Sequence, residues 1–284
     1  MRDLTFTYDL EDTRPSADLP QRFDETTRRV LECLDELGVK GTFFIVGTAA
    51  QTAPAIVRAI ADGGHEVALH SWDHVMLPQQ NAMVFRKETD DARALLQDLA
   101  QQPVVGYRAP NFSLTRESVW AVDVLGDLGF EYSSSVLPVS HPYFGFPGVP
   151  KTTFRWANGL LEFPAPVGRF GPKQLPFLGG IYFRFLPRSM VLSRAAAAKA
   201  DALWFYSHPH DFDDAEAFFR IRNISWSASA LLWFRRKGAV DRMISLLSEF
   251  TVLPPFAAQI AAGCYASVNR WDGLSDDQAG GERT

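Results

Sequence analysis

The sequence predicts an α/β protein built on a parallel sheet, either an open doubly wound sheet or a barrel. Short β-branched and aromatic segments alternate with segments of helical periodicity over residues 4–132. Polar side chains follow several of the predicted strands, where parallel α/β proteins place their active sites. The 284 residues, of which 46% are hydrophobic, suffice for one large domain or for two small domains of this class.

The predicted elements follow one another at short intervals. In the first helix, apolar residues at 30, 31, 34 and 37 share one face, and Gly38 follows directly as a stop signal. The predicted strands cover residues 4–9, 40–47, 65–69, 104–107, 129–132 and 202–206. The predicted helices cover residues 21–37, 53–62, 81–101, 115–127, 239–249 and 254–265.

The alternation stops between residues 136 and 190, where proline, glycine and aromatic residues are frequent. Apolar residues are too dense there for disorder, so we predict an ordered insertion. The sequence thus predicts a single domain over residues 1–270 that contains this insertion. The polar residues 271–284 are predicted to form a disordered tail.

Composition excludes several classes of protein. The net charge is −5 and no basic stripe is present, so nucleic acid is not an expected partner. Cys33 and Cys264 are far apart, which disfavours a disulfide framework or a cysteine metal site, and we expect both as buried helical residues. The sequence shows neither a membrane-spanning apolar run nor a signal peptide, so the expected location is the cytoplasm.

Two histidines, His70 and His74, follow the third predicted strand and suggest a metal site. Imidazole is a common ligand for transition metals, and two imidazoles with one carboxylate leave coordination positions open. Asp9, Glu11 and Asp12 follow the first strand and could supply that carboxylate and a general base. Alone, these acids would be read as a helix cap or a solvated turn.

Two further strand ends carry candidate catalytic groups. Arg108 would pair with a carboxylate, either as a structural ion pair or to fix the orientation of the base. Pro110 makes a rigid turn that would present the backbone N–H of Asn111 as an oxyanion donor. His208 could serve as a general acid for an amine leaving group, or it could be a core histidine with a backbone partner.

In this order, these positions resemble the motifs of the polysaccharide deacetylases of carbohydrate esterase family 4, the NodB-homology enzymes. The resemblance covers about residues 4–212 and includes an H-S-x-x-H motif at 70–74, R-A-P at 108–110 and Y-S-H at 206–208. The segment 179–187 reads G-G-I-Y-F-R-F-L-P, which is similar to an element of the subfamily associated with exopolysaccharide loci.

The resemblance implies a distorted, incomplete (β/α) barrel that is usually counted as seven-stranded. It implies that Asp9 is the general base and that His208 protonates the leaving amine. His70 and His74 would hold a divalent metal, most commonly Zn²⁺, with Co²⁺, Ni²⁺, Fe²⁺ and Mn²⁺ as alternatives. The metal and the Asn111 N–H would polarise the acetamide carbonyl, with acetate as a product.

The sequence departs from the family pattern at two places. Leu10 follows Asp9 where a second aspartate is common, so the third metal ligand would be Glu11 or Asp12. Residues 133–135 are three serines, where the subfamily tends to carry an aspartate that is thought to tune the catalytic histidine. Asp211 or Asp123 are the acids that could compensate.

The sequence therefore predicts a metal-dependent deacetylase of an N-acetylated sugar, either a polysaccharide or a lipid-linked or nucleotide-linked precursor. Two alternatives stay open. The same barrel hosts hydrolases of other non-peptide C–N bonds, such as cyclic amides and ureides. A catalytically inactive carbohydrate-binding homologue is the second, suggested by the serines at 133–135. The sequence leaves the oligomeric state and the identity of the sugar open.

Overall fold

The computed structural model describes residues 2–16, 18–141, 144–198, 200–220 and 225–273. The strands are β1 (Arg2–Leu10), β2 (Thr42–Ile45), β3 (Glu66–Leu69), β4 (Gly106–Tyr107), β5 (Tyr132–Ser133), β6 (Phe154–Arg155), β7 (Leu161–Glu162), β8 (Val167–Phe170), β9 (Lys173–Pro176), β10 (Trp204–Ser207) and β11 (Phe250–Leu253). The α-helices are α1 (Phe23–Glu36), α2 (Gly47–Thr52), α3 (Pro54–Asp62), α4 (Ala82–Ala100), α5 (Trp120–Asp127), α6 (Gly180–Phe185), α7 (Arg188–Ala197), α8 (Pro209–Phe212), α9 (Trp226–Trp233), α10 (Ala239–Leu247) and α11 (Phe256–Ala261).

The main sheet has the strand order β10-β1-β2-β3-β4-β5-β7-β6. Neighbouring strands from β10 to β7 are parallel, and β6 joins the edge antiparallel to β7. Strand β11 pairs in parallel with the first residues of β1. Seven successive parallel strands agree with the predicted (β/α) architecture.

The sheet curls so that side chains from distant strands meet inside it. Phe44 of β2, Tyr132 of β5 and Trp204 of β10 belong to one buried apolar cluster. The indole Nε1 of Trp204 donates a 3.2 Å hydrogen bond to the carbonyl oxygen of Pro164, just after β7. Because β10 and β7 lie far apart in the strand order, this contact requires a curved, half-barrel sheet, which confirms the predicted barrel class.

Helices cover the outer face of this sheet. The apolar positions that predicted α1 at helical spacing are buried, including Val30 and Leu34. Ile56 and Ile60 of α3 and Leu96 of α4 are also fully buried against the same core. The apolar residues at helical spacing therefore form the face of each helix that packs against the core.

The predicted insertion is partly a component of the sheet. Strand β7 lies within residues 136–190 and forms the seventh parallel strand, while β8 and β9 form a separate antiparallel hairpin. Periodicity could not show β7 because it has only two residues. Trp271, which we assigned to the tail, packs on Phe154 with ring centroids 5.5 Å apart. The remaining tail residues 274–284 lie outside the described residues.

The two cysteines differ in their surroundings. Cys33 lies in α1 and is partly buried, whereas Cys264 is exposed. The prediction for Cys264 was wrong because α11 ends at Ala261, before this residue. Among the described residues, no helix combines the length and the apolar character that crossing a membrane requires.

Candidate active site

Four strand ends place the predicted site residues at one cavity or, in the case of Arg108, against Asp9 in its lining. Asp9 belongs to β1, His70 follows β3, Arg108 follows β4 and His208 follows β10. Because these strands are parallel, their carboxyl ends meet at the same edge of the sheet. A cavity of about 280 Å³ opens there. Its lining includes Asp9, Glu11, His70, His74, Asn111, Phe112, Tyr182, Tyr206 and His208.

Glu11, His70 and His74 form a group that could hold a metal ion. Each offers one ligand atom, and these atoms lie within 4.8 Å of one another. Nε2 of His74 is 2.7 Å from Oε2 of Glu11. Nδ1 of His70 lies 2.8 Å from the carbonyl oxygen of Arg108, which can only accept, so Nδ1 carries the proton and Nε2 is left as the ligand.

Burial and charge set the protonation of this group. Burial lowers the pKa of His70 to about 4, which favours the neutral imidazole that metal binding requires. Burial also lowers the pKa of His74, but the paired Glu11 carboxylate outweighs it and the net shift is upward. Burial alone would raise the pKa of Glu11, and the charge of His74 reverses this, so that its pKa lies well below the usual range.

The structure brings Glu11, and not Asp12, to the histidine pair. The carboxylate of Asp12 turns away and pairs with Arg14 at 2.6 Å. Glu11 is two residues beyond Asp9, and residues at this spacing share a face of an extended chain. The geometry therefore favours Glu11 of the two acids that the sequence left open.

Arg108 and Asp9 form a buried ion pair beside the histidines. Nη1 of Arg108 is 2.5 Å from Oδ1 of Asp9, and the arginine side chain is fully buried. The same nitrogen donates to Oγ1 of Thr7 at 2.9 Å. The guanidinium carbon lies 3.9 Å from the ring centroid of Phe44 and 4.4 Å from that of Trp204. The planar arginine therefore compensates the charge of Asp9 and fixes its orientation.

The serines at 133–135 are uncharged and form hydrogen bonds with Arg108 and the adjacent backbone. Oγ of Ser134 accepts a 3.0 Å hydrogen bond from Nη2 of Arg108. Oγ of Ser135 accepts from the backbone N–H of Ala109 at 2.9 Å. Residues 133–135, where the family pattern tends to carry an acid, thus present hydroxyl groups, and the hydroxyl of Ser134 satisfies the second arm of Arg108.

The acid that contacts His208 is Asp211, on α8. Its Oδ2 is 3.0 Å from Nδ1 of His208, and its Oδ1 is 3.0 Å from Nη2 of Arg184 on α6. Asp211 and Arg184 are both fully buried. Asp123, the other candidate, is exposed on α5 and does not reach the site.

The protonation of this triad follows from these contacts. Burial would lower the pKa of His208, but the hydrogen bond to Asp211 and the nearby Glu11 and Asp9 carboxylates raise it to about 9. Burial would raise the pKa of Asp211, but His210, His208 and Arg184 keep it far below its ordinary value. Nε2 of His208 faces Oδ2 of Asp9 at 3.8 Å. The protonated histidine and the carboxylate therefore point at the same space.

His210 is a further site residue, to which we assigned no role from the sequence. Its ring stacks on that of His208 with centroids 4.8 Å apart, and its Nδ1 lies 3.8 Å from Oε1 of Glu11. Burial lowers the pKa of His210 to about 4. Glu11, His208 and His210 also offer ligand atoms within 4.8 Å of one another. The H-P-H-D sequence at 208–211 was the signal for both His210 and Asp211.

Unusual backbone conformations surround the cavity. Ser71, His74, Asn111 and Phe112 all have positive φ angles, between 53° and 65°. Such angles are costly for residues other than glycine and are concentrated at functional sites. Asn111 lines the cavity, and the use of its N–H as an oxyanion donor stays a prediction.

Comparisons with known proteins agree with this geometry. The chain is 32% identical over 110 residues to a peptidoglycan deacetylase-like protein of Gibberella zeae, covering 38% of this chain and 32% of that protein. It is 29% identical over 133 residues to a peptidoglycan-N-acetylglucosamine deacetylase of Bacillus cereus, covering 42% of this chain and 48% of that enzyme. The chain thus spans less than half the length of these curated relatives.

Solved structures share the fold. The peptidoglycan deacetylase PdaC of Bacillus subtilis superposes with a TM-score of 0.51 at 12% identity and 93% coverage of both chains. A CE4 family pseudoenzyme of Bacillus anthracis gives a TM-score of 0.51 at 14% identity, covering 95% of this chain and 67% of the other. This fold therefore occurs in enzymes and in a pseudoenzyme alike.

Family models divide the chain into two segments. Residues 134–254 match a domain of unknown function, DUF3473, and residues 4–133 match the polysaccharide deacetylase model. Residues 4–133 contain the acids, the histidine pair and Arg108. Residues 134–254 contain Arg184, His208 and Asp211. Residues 4–133, a little under half of the chain, are therefore similar to the polysaccharide deacetylase family.

Proposed function

We propose that this protein is a metal-dependent hydrolase that removes the acetyl group from an N-acetylated sugar and releases acetate. The observation that supports this most strongly is the convergence of three groups of residues on one cavity. They are the possible metal ligands Glu11, His70 and His74, the Asp9–Arg108 pair, and His208 held by Asp211.

The donor set fits a divalent metal. Two imidazoles and one carboxylate are the ligands that Zn²⁺ binds in catalytic sites, and Co²⁺, Ni²⁺, Fe²⁺ and Mn²⁺ are alternatives. Glu11, His70 and His74 would hold it, because their ligand atoms lie within 4.8 Å of one another. When bound, the metal would act as a Lewis acid that polarises the amide carbonyl.

The protein's own groups would move the protons. The carboxylate of Asp9 would accept a proton from the water that attacks the amide carbon, while Arg108 keeps this carboxylate in place. When the C–N bond breaks, Nε2 of His208 would donate its proton to the departing amine nitrogen. The pKa of about 9 means that His208 carries this proton at neutral pH. The N–H of Asn111 would stabilise the oxyanion.

Two other functions are compatible with the same group of residues. A hydrolase of another non-peptide C–N bond would use the same groups on a different substrate. An inactive carbohydrate-binding protein is the second, since the fold also occurs in a pseudoenzyme. We favour activity because Asp211 supplies a carboxylate to His208 although residues 133–135 are serines.

The proposal is tested by measuring bound metal and acetate release together. Wild type, His70→Ala and His74→Ala are compared by elemental analysis, and each is assayed on N-acetylated oligosaccharides. His65→Gln is the control, since this histidine contacts the backbone of Gly41 and lies outside the site. We expect metal and acetate release to be lost in both alanine variants only. Metal without acetate release would favour another C–N bond, and wild type without metal would contradict the proposal.

A further inference from the structure

A groove lies beside the active-site cavity, on the DUF3473 segment. It has a volume of about 750 Å³ and shares His141 with the lining of the cavity. Strand β9 runs alongside, since Leu175 lines the groove and the next residue, Pro176, lines the cavity. A further recess of about 400 Å³ shares Lys151 and Gln174 with the groove. The three spaces are therefore neighbours that share lining residues.

The groove and the recess are lined by cations. Lys151 and Lys173 line the groove, and Arg169 and Arg194 line the recess. Among the described residues, neither lining includes an aspartate or a glutamate. Within the described part of the chain, none of these four cations lies within 4.0 Å of a carboxylate. This local excess of positive charge contrasts with the net charge of −5.

Two of these cations, Lys151 and Arg194, have side-chain partners that hold them in place. The β8–β9 hairpin pairs Arg169 with Gln174, and Oε1 of Gln174 accepts a 2.7 Å hydrogen bond from Nζ of Lys151. The guanidinium carbon of Arg194 lies 5.3 Å from the ring centroid of Phe170. Held cations without carboxylate partners form a site that attracts anions.

We propose that this groove binds the anionic part of the substrate, so that the substrate is a negatively charged derivative of an N-acetylated sugar. This rests on the proposed function, because the reacting acetamide would occupy the cavity while the charges extend along the groove. Carboxylates of acidic sugars and phosphates of a sugar nucleotide share the chemistry that lysine and arginine recognise. The position of the groove next to the cavity favours a substrate over an unrelated anion.

The test measures binding, which does not require turnover. The protein is titrated calorimetrically with four probes. Two are anionic, a hexasaccharide of alternating N-acetylglucosamine and glucuronic acid, and UDP-N-acetylglucosamine. Two are their neutral counterparts, the N-acetylglucosamine hexamer and free N-acetylglucosamine. We expect at least one anionic probe to bind about tenfold more tightly than its neutral counterpart, and less so at high salt.

Two sets of variants distinguish the effect of the groove cations from the effect of the protein's overall charge. Lys151→Gln, Arg169→Gln and Lys173→Gln are combined, since all three side chains are exposed. The control combines Arg28→Gln, Arg58→Gln and Lys237→Gln, which are exposed, lie outside the groove and remove the same charge. We expect the groove variant to lose the roughly tenfold preference and the control to keep it. Unfolding midpoints show whether both variants stay folded.

The outcomes distinguish the sources of charge and the two proposals. A preference for the hexasaccharide alone indicates carboxylates, and a preference for UDP-N-acetylglucosamine alone indicates phosphates. Equal affinity for anionic and neutral probes, or equal losses in both variants, would overturn the inference. Retained anion binding without acetate release from any probe would remove the proposed deacetylase and leave the anionic groove.

Discussion

Nδ1 of His208 donates a 3.0 Å hydrogen bond to Oδ2 of Asp211, three residues later in the chain. The carboxylate is fully buried, and Arg184 contacts its other oxygen. The structure thus places a negative charge beside His208, while residue 134 presents only a hydroxyl to Arg108. Buried carboxylates that orient a histidine also favour its protonated form.

Replacing Asp211 with asparagine should lower activity and shift its pH dependence. Asp211 helps to raise the pKa of His208 to about 9, so its removal should lower that pKa. A general acid must be protonated, and activity is therefore lost as the pH rises through its pKa. We expect kcat/KM to fall by roughly 10- to 100-fold and the high-pH limb of the profile to move to lower pH.

The control for this change is Asp123→Asn, because Asp123 is an exposed acid on α5. Its pH profile should coincide with that of wild type. A purely structural role for Asp211 would lower activity equally at every pH. An unmoved high-pH limb in Asp211→Asn would therefore contradict the assigned relationship.

The Asp9–Arg108 pair should behave as a coupled unit in stability measurements. Both side chains are almost completely buried, and their charged atoms are 2.5 Å apart. Arg108→Met leaves the carboxylate buried without its cation, which should cost about 3–5 kcal/mol of unfolding free energy. Combining it with Asp9→Asn removes the unpaired charge, so the double variant should be more stable than Arg108→Met. Urea denaturation of wild type, Arg108→Met, Asp9→Asn and the double variant measures the coupling energy. Additive losses of unfolding free energy would show that the pair is not coupled.

Glu11 and Asp12 should differ in their effect on metal binding. Glu11 reaches the histidine pair, whereas Asp12 pairs with Arg14. Glu11→Gln should therefore weaken metal affinity by at least about tenfold, because a neutral amide is a poorer ligand than a carboxylate. Asp12→Asn is the matched control and should bind like wild type in competition with a chelator. The reverse ranking would assign the third ligand to Asp12.

The sequence predicted which residues would meet, because the rule for parallel strands is general. Asp9, His70, Arg108 and His208 each follow or end a predicted strand. Three of them line the cavity, and the fourth, Arg108, pairs with Asp9. The alternation predicted the parallel pairing that runs from β10 to β7, but it left open whether the sheet is open or curled into a barrel. Local sequence patterns were therefore sufficient to predict which main site residues lie close together.

Contacts that depend on side-chain direction could not be predicted in this way. Glu11 and Asp12 are neighbours, and only the path of the chain after β1 shows which one faces the histidines. Arg184 is 27 positions from Asp211, in the insertion whose regular elements are short. Periodicity gives no register for such segments, so the ion pair became visible only in the folded chain.

Gly179 should be essential because it lets the insertion approach β10. A Cβ atom at Gly179 would lie 2.0 Å from the carbonyl oxygen of Tyr206, and this backbone cannot move without disturbing β10. Gly179→Ala should therefore displace α6, which carries Arg184, and lower the unfolding free energy by about 1–3 kcal/mol. The Arg184–Asp211 contact would loosen, so the high-pH limb should shift as in Asp211→Asn. Gly63→Ala is the control, since the nearest atom to its Cβ belongs to the His65 side chain at 3.0 Å. A variant as stable as this control, with an unchanged pH profile, would show that the close approach is not required.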